Sequence, residues 1–176
     1  GSSRTAFDSM IASGLRSGQK LTSANQRKIE ADEFVAIDVS AIYNEYCSNV
    51  ARTIYTGKPG EKHRKAFELS RKTLAKAIEQ ITPGVTSSDI AAAIKSFLRG
   101  ISGEGGVGVS GHGIGLELYE WPSIFEDEVR LIKPGMVVCL KVETAIKEVG
   151  GVKLEETVLV TDYAREVLNR LPVETI

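Results

Sequence analysis

The chain has 176 residues, 42% hydrophobic and 26% charged, with 22 basic against 23 acidic side chains and a formal net charge of -1. One ordinary domain of this size buries a core without staples, and the balanced charge excludes a global basic field for phosphate backbones, so nucleic acid is not an expected partner. Two cysteines, Cys47 and Cys139, are too few for a disulfide framework and match no zinc spacing, and no apolar run approaches the roughly 20 residues that span a bilayer, so no membrane is expected and the chain reads as cytoplasmic.

In chain order, Ala6 to Ile11 reads as a short strand entering a turn at Ala12-Ser13-Gly14, followed by a polar loop to about Lys28. Phe34 to Val39 and Asn49 to Tyr55 are strand patterns joined through Tyr43-Asn44-Glu45-Tyr46, and Gly57-Lys58-Pro59-Gly60 closes the unit with turn chemistry. The clearest helix runs from about Glu61 to Ile81, with Phe67, Leu74, Ile78 and Ile81 on one stripe. His63, one of only two histidines, lies in its charged start, Glu61 to Lys65, and reads as a solvated first turn. Pro83-Gly84 breaks the helix, and Thr86 to Asp89 offers caps for a second one that turns Ile90, Ile94, Phe97 and Leu98 inward. The glycine-rich stretch Gly103 to Gly115 reads as a separator before a last β region, in which Met136 to Val142 and Glu156 to Val160 are the clear strands. Within it, Gly103 to Gly108 superficially matches a dinucleotide fingerprint but has neither the preceding strand nor the following helix.

The chain also repeats itself. Ile29 to Val39 aligns without gaps on Ile132 to Val142, each a polar turn followed by a buried strand, with Asp38 and Lys141 at the same penultimate place. The reading is one domain over residues 1–176 with two related halves, about 1–60 and about 61–176. Only the second half carries helices ahead of its strands, so the first is expected to lack its N-terminal helices, which a further segment or another copy of the chain would supply.

An ionised carboxylate inside an apolar strand costs several kcal/mol unless compensated, so Asp38 needs a partner. His112 sits among glycines in Gly111-His112-Gly113-Ile114-Gly115, and Glu155 lies at the start of another apolar strand. Two carboxylates and an imidazole on separate strands suit a divalent metal, and equally a buried polar cluster paired with a cation. Cys139 reads as a packed small hydrophobe, with neither histidine obviously paired to it.

The order and spacing of Ile11-Ala12-Ser13-Gly14, Ile37-Asp38 with Arg52-Thr53, Pro83-Gly84-Val85-Thr86, Gly111 to Leu116 through Glu120-Trp121-Pro122, Pro134 to Val138 and Gly151 to Glu156 resemble the pita-bread metallopeptidases. That family includes aminopeptidase P, prolidase, methionine aminopeptidase and the metal-free creatinase. The resemblance implies an α+β pita-bread fold of two pseudo-symmetric halves around a curved, mostly antiparallel sheet, a catalytic-type C-terminal domain here N-terminally incomplete. It also implies a five-residue site for two divalent metals in the peptide-hydrolysing members. Asp38, His112 and Glu155 fall on three of those positions, whereas the second aspartate falls on Asn49 and the first glutamate on Lys141. Asn49 keeps an oxygen without the charge. Lys141 puts an ammonium, which has no lone pair, where a metal bridge would form; like charges about 4 Å apart repel by roughly 4 kcal/mol at an effective dielectric of 20, and a dication doubles that. The family's supporting histidines would fall near Lys20-Leu21 and on Tyr119, and an arginine often found two before the final glutamate is Lys153. Creatinase chemistry does not carry over, because Ala51 stands just before the Arg-Thr pair.

The expectation is therefore an Xaa-Pro peptidase-like domain with a degraded dinuclear site, a pseudo-peptidase that binds a peptide or protein partner. Lys141, His112, Tyr119 and Lys153 are its candidate acting groups, and Asp38, Asn49, His112 and Glu155 the remnant metal positions. No cofactor is expected, or at most one ion of manganese, cobalt or zinc. The alternatives are a hydrolase with metal-independent or single-metal chemistry on an amide-like molecule, and an active Xaa-Pro aminopeptidase or dipeptidase completed by another chain.

Overall fold

The structure, a computed structural model, is described over residues 1–20, 22–100 and 106–173. Leu21 and Gly103 to Gly105, which figured above, lie outside the described residues.

The strands are β1 (Met10–Ser13), β2 (Phe34–Tyr43), β3 (Tyr46–Tyr55), β4 (Gly106–Gly113), β5 (Glu120–Ser123), β6 (Val137–Ile146), β7 (Gly150–Val160) and β8 (Arg165–Val167), and the helices are α1 (Glu61–Gln80) and α2 (Ser87–Arg99). All strands join one antiparallel sheet in the order β1-β2-β3-β7-β6-β4-β5, with β8 beside β7. The internal repeat becomes visible in this order: hairpin β2-β3 faces hairpin β7-β6 across a central seam, with β1 and β4 flanking them in equivalent places. Together with the curved α+β architecture this is the pita-bread fold that the sequence led us to expect.

The hairpins form for local reasons. Asn44 and Glu45, at φ 47° and 67°, make the two-residue turn between β2 and β3 with the positive φ that matches the right-handed twist of the strands. At the seam, Ala51 pairs with Glu155, and a threonine hydroxyl stitches each side: Thr53 Oγ1 donates to the Lys153 carbonyl at 2.9 Å and Thr157 Oγ1 to the Asn49 carbonyl at 3.0 Å.

The core lies between α1 and the β6-β7 half. Ala66, Phe67, Ser70, Thr73, Leu74 and Ala77 are the buried face of α1, packed with Leu140, Val142, Val152 and Leu154; Ser70 Oγ meets Thr144 Oγ1 at 2.6 Å. The helix α2 starts on a capping box, Thr86 taking the Asp89 amide while the Asp89 carboxylate takes that of Thr86.

Three expectations are corrected. The first strand begins at Met10 rather than Ala6, because Ala6 and Phe7 instead donate their amides to the Ser40 hydroxyl. Gly106 to Gly113 is strand rather than separator: its glycines let β4 lie against its neighbours, and a Cβ on Gly111 would stand 2.9 Å from the Cys139 carbonyl oxygen. His63 is not a solvated first turn; its ring packs on Phe34 and Tyr55 at centroid distances of 5.4 and 4.8 Å, and burial lowers its pKa.

Candidate functional site

The sheet register assembles the site from distant residues. One row crosses six strands as Met10, Asp38, Ala51, Glu155, Lys141 and Ser110. Side chains alternate along a strand, so the next residues on the same face of β6, β7 and β3 are Cys139, Thr157 and Asn49. His112 pairs with Cys139 from β4. A flat sheet would hold β2 and β6, three strand spacings apart, at about 14 Å, yet Lys141 Nζ donates to Asp38 Oδ2 at 2.9 Å; the sheet is concave on this side.

Lys141 contacts both carboxylates, with its nitrogen also 3.3 Å from Glu155 Oε2. Burial works against its charge, but Glu155 and Asp38 outweigh burial and hold its pKa above the usual lysine range. Glu155 is fully buried. That burial, partly offset by Lys141, raises its pKa to about 7. Asn49 Nδ2 donates to Glu155 Oε1 at 3.0 Å, so Asn49 serves the carboxylate through its amide rather than its oxygen. Lys153 donates to the Lys20 carbonyl at 2.8 Å, pairs with Glu143 at 3.1 Å and lies 3.8 Å from Asp38. Three buried acceptors, Asp38 Oδ1, Asn49 Oδ1 and Glu155 Oε2, have no hydrogen-bond partner among the described residues.

His112 Nδ1 lies 2.9 Å from the Gly113 carbonyl oxygen. A carbonyl only accepts, so Nδ1 carries the proton and Nε2 keeps its lone pair. Burial lowers the His112 pKa against that hydrogen bond, and Tyr119 covers the ring at a centroid distance of 4.5 Å while remaining 68% exposed itself. Tyr119 and Lys141 also line a cleft of about 490 Å³ with Phe7, Asp8 and Met10 from the first half.

The structure thus brings Asp38, Asn49, Lys141, Lys153 and Glu155 into one network, with His112 and Tyr119 beside it. Cys139, read from the sequence as a packed small hydrophobe, is fully buried, 3.4 Å from Thr157 Oγ1, and pushed up to about 12 in pKa by burial and then by Glu155; standing two residues before Lys141, it shares that residue's face of the sheet.

Residues 1–162 match the family described as Metallopeptidase family M24. The chain is 34% identical over 177 residues to an Xaa-Pro dipeptidase of Pyrococcus furiosus, covering 100% of this chain and 51% of that protein. Among solved structures it resembles an Xaa-Pro dipeptidase from Bacillus anthracis (TM-score 0.91, 32% identity, 100% of this chain and 50% of that one). It also resembles an X-Pro aminopeptidase from Thermotoga maritima (TM-score 0.91, 28% identity, 99% and 50%). The chain spans about half the length of the curated relatives it matches.

These matches correct the expectation of no cofactor or at most one ion. The matched family is one of metallopeptidases, and His112, Cys139 and Glu155 offer ligand atoms all within 4.8 Å of one another. The Lys141 ammonium, 2.9 Å from Asp38 Oδ2 and 3.3 Å from Glu155 Oε2, meets both carboxylates of its own row, and a cation held between them does not fit a bridging metal. No helix among the described residues is long and apolar enough to cross a membrane.

Proposed function

The chain belongs to metallopeptidase family M24, and from that premise we propose that it is an Xaa-Pro dipeptidase-like domain that takes a short peptide into the Lys141 cleft and holds it without cleaving it. The single observation behind the second clause is the ammonium of Lys141, 2.9 Å from Asp38 and 3.3 Å from Glu155. Divalent metal in such peptidases supplies an activated water and a Lewis acid. Here the two carboxylates that would turn toward that chemistry share the ammonium of a side chain of the same protein. Lys141 and Tyr119 line the cleft, His112 presents a neutral imidazole, and Lys153 lies between Asp38 and the Lys20 carbonyl. The two halves act as one domain, since the cleft takes residues from both. Cys47 and Cys139 are free thiols, in keeping with a reducing compartment, and we assign the domain to the cytoplasm.

Calorimetry with an Xaa-Pro dipeptide, alongside an assay of released proline in the presence of manganese, tests this reading. The expected result is heat of binding without proline release from the natural protein, and release from the double variant Asn49→Asp, Lys141→Glu. Proline release by the natural protein that is lost in Glu155→Gln would replace the proposal with an active dipeptidase. Absence of any binding heat would remove the peptide from it.

A further inference from the structure

We propose that the open edge of β4 is a self-association surface, on which a second copy of this chain pairs its own β4 antiparallel about a two-fold axis at Gly108. The pairing is independent of what the Lys141 cleft holds and of whether it is cleaved.

The sheet ends unevenly on this side. Only the far end of β4 is closed: His112 pairs with Ser123, Gly113 with Glu120, and Ile124 donates its amide to the Gly111 carbonyl at 2.8 Å. Gly106 to Ser110 pair with Ala145 to Lys141 of β6, and on their other side they pair with no strand among the described residues. Peptide groups along an antiparallel strand turn alternately toward one side and the other. Since the Gly111 carbonyl turns outward to Ile124, the peptide groups of Val109 and Val107 turn outward as well, and those of Gly108 turn inward to β6. Sheet edges are ordinarily protected by lysine, proline or a covering segment. Gly106-Val107-Gly108-Val109-Ser110 carries neither charge nor proline, and Gly106 and Gly108 are exposed.

An apolar groove borders the same edge. It encloses about 210 Å³ and is lined by Val109, by Ala91, Ile94 and Leu98 of α2, and by Ile124 and Phe125; Phe125 is 57% exposed. Residues directly opposite one another in an antiparallel pair share a face. A copy set with Gly108 opposite Gly108 therefore brings the partner's Val107 opposite Val109, on the face of the groove, and the two-fold axis repeats the contact in the other copy. This register suits the edge to itself. Val107 and Val109, whose peptide groups turn outward, form the hydrogen-bonded pairs, each exchanging both backbone bonds with its partner. Gly108 meets Gly108 at the close position without hydrogen bonds, where Cα atoms approach to about 4.5 Å and the missing side chains leave room. Ile124 stands where the pairing stops, so the contact is smaller than a standard interface of about 800 Å² per partner and the dimer depends on concentration.

Sedimentation equilibrium from micromolar to millimolar protein tests the pairing. The mass of the natural protein is expected to rise from 19.0 kDa toward twice that value. Over the same range, amide exchange read by NMR should slow more than about tenfold at Val107 and Val109 and stay unchanged at Gly108. Val107→Pro is expected to remain at the single mass throughout: an edge strand accepts proline where its N–H faces outward, so no bond to β6 is lost, while the bond to a second copy is. Circular dichroism reads whether this variant folds, and if it does not, the exchange rates of the natural protein decide alone. A single mass at every concentration would overturn the assignment and leave the edge to an extended segment of another protein. A doubled mass in folded Val107→Pro, or a dimer in which the Val107 and Val109 amides exchange as fast as in the monomer, would overturn it by putting the contact elsewhere.

Discussion

Lys141→Met keeps a flexible chain of similar length and deletes one charge, which makes it a sharp test of the site's electrostatics. The substitution leaves Asp38 and the fully buried Glu155 facing each other, with Lys153 still 3.8 Å from Asp38. Removing one partner of a buried ion pair costs about 3–5 kcal/mol, and for a chain of this length 1 kcal/mol shifts Tm by roughly 2–4 °C. The variant should therefore melt roughly 6–20 °C lower at pH 8 in the presence of a chelator. In the natural protein the Glu155 pKa is raised from 4.5 to about 7, so the native state holds a proton that the unfolded chain releases. Its contribution is fully present below pH 4.5 and is lost as pH rises through 7, a swing of about 3 kcal/mol. Without Lys141, whose charge lowers that pKa, Glu155 moves further up and the loss extends to higher pH. The two proteins should accordingly differ least near pH 5, where Glu155 is protonated in both, and most near pH 8 to 9. Scanning calorimetry across this range reads both features. A Tm within 2 °C of the natural protein at pH 8, or an equal deficit at pH 5 and pH 9, would refute the reasoning.

Two further outcomes follow from the same face. Gly111→Ala should destabilise by about 1–3 kcal/mol, because its Cβ would stand 2.7 Å from Ile124 Cγ1 and 2.9 Å from the Cys139 carbonyl oxygen; an unchanged denaturation midpoint would refute this. Tyr119→Ala should rehydrate His112, since burial is the chief cause of its lowered pKa and the Tyr119 ring lies at 4.5 Å. Its NMR titration midpoint should move up toward the ordinary histidine value of 6.5. Because a lowered histidine pKa adds stability that is full above 6.5 and lost as pH falls, the variant should also resist mild acid more evenly.

The parts of the molecule legible in the sequence were those whose side-chain pattern matches their structural period. The hairpins β2-β3 and β6-β7, the stripe of α1 and the Thr86 to Asp89 cap all carry their own signals, and the repeat of Ile29 to Val39 on Ile132 to Val142 anticipated the pairing of the halves. Asp38 in an apolar strand announced the need for a cation, and Lys141 answers it. Strand β4 was hidden because glycine has low strand preference and its reason for being there, close approach of neighbouring strands, is tertiary. Cys139 is buried as its apolar strand implied, while its pairing with His112 is set by register and was not legible. His63 was misjudged because its neighbours in sequence are charged while its neighbours in space are Phe34 and Tyr55.

The row from Met10 to Ser110 acts as a ruler. Each mark along it is one strand spacing of about 4.8 Å, and each mark down a strand is two residues, about 6.8 Å. Asp38 and Lys141, 103 positions apart in the chain, are held in alignment by backbone hydrogen bonds that no side chain can alter. Substitution at such a site rewrites the charge written on a mark without moving the mark, and a one-residue slip carries every mark on that strand to the opposite face. The fold can therefore exchange carboxylate, amide, thiol and ammonium at fixed coordinates, which makes this sheet a frame on which electrostatics vary while geometry is inherited.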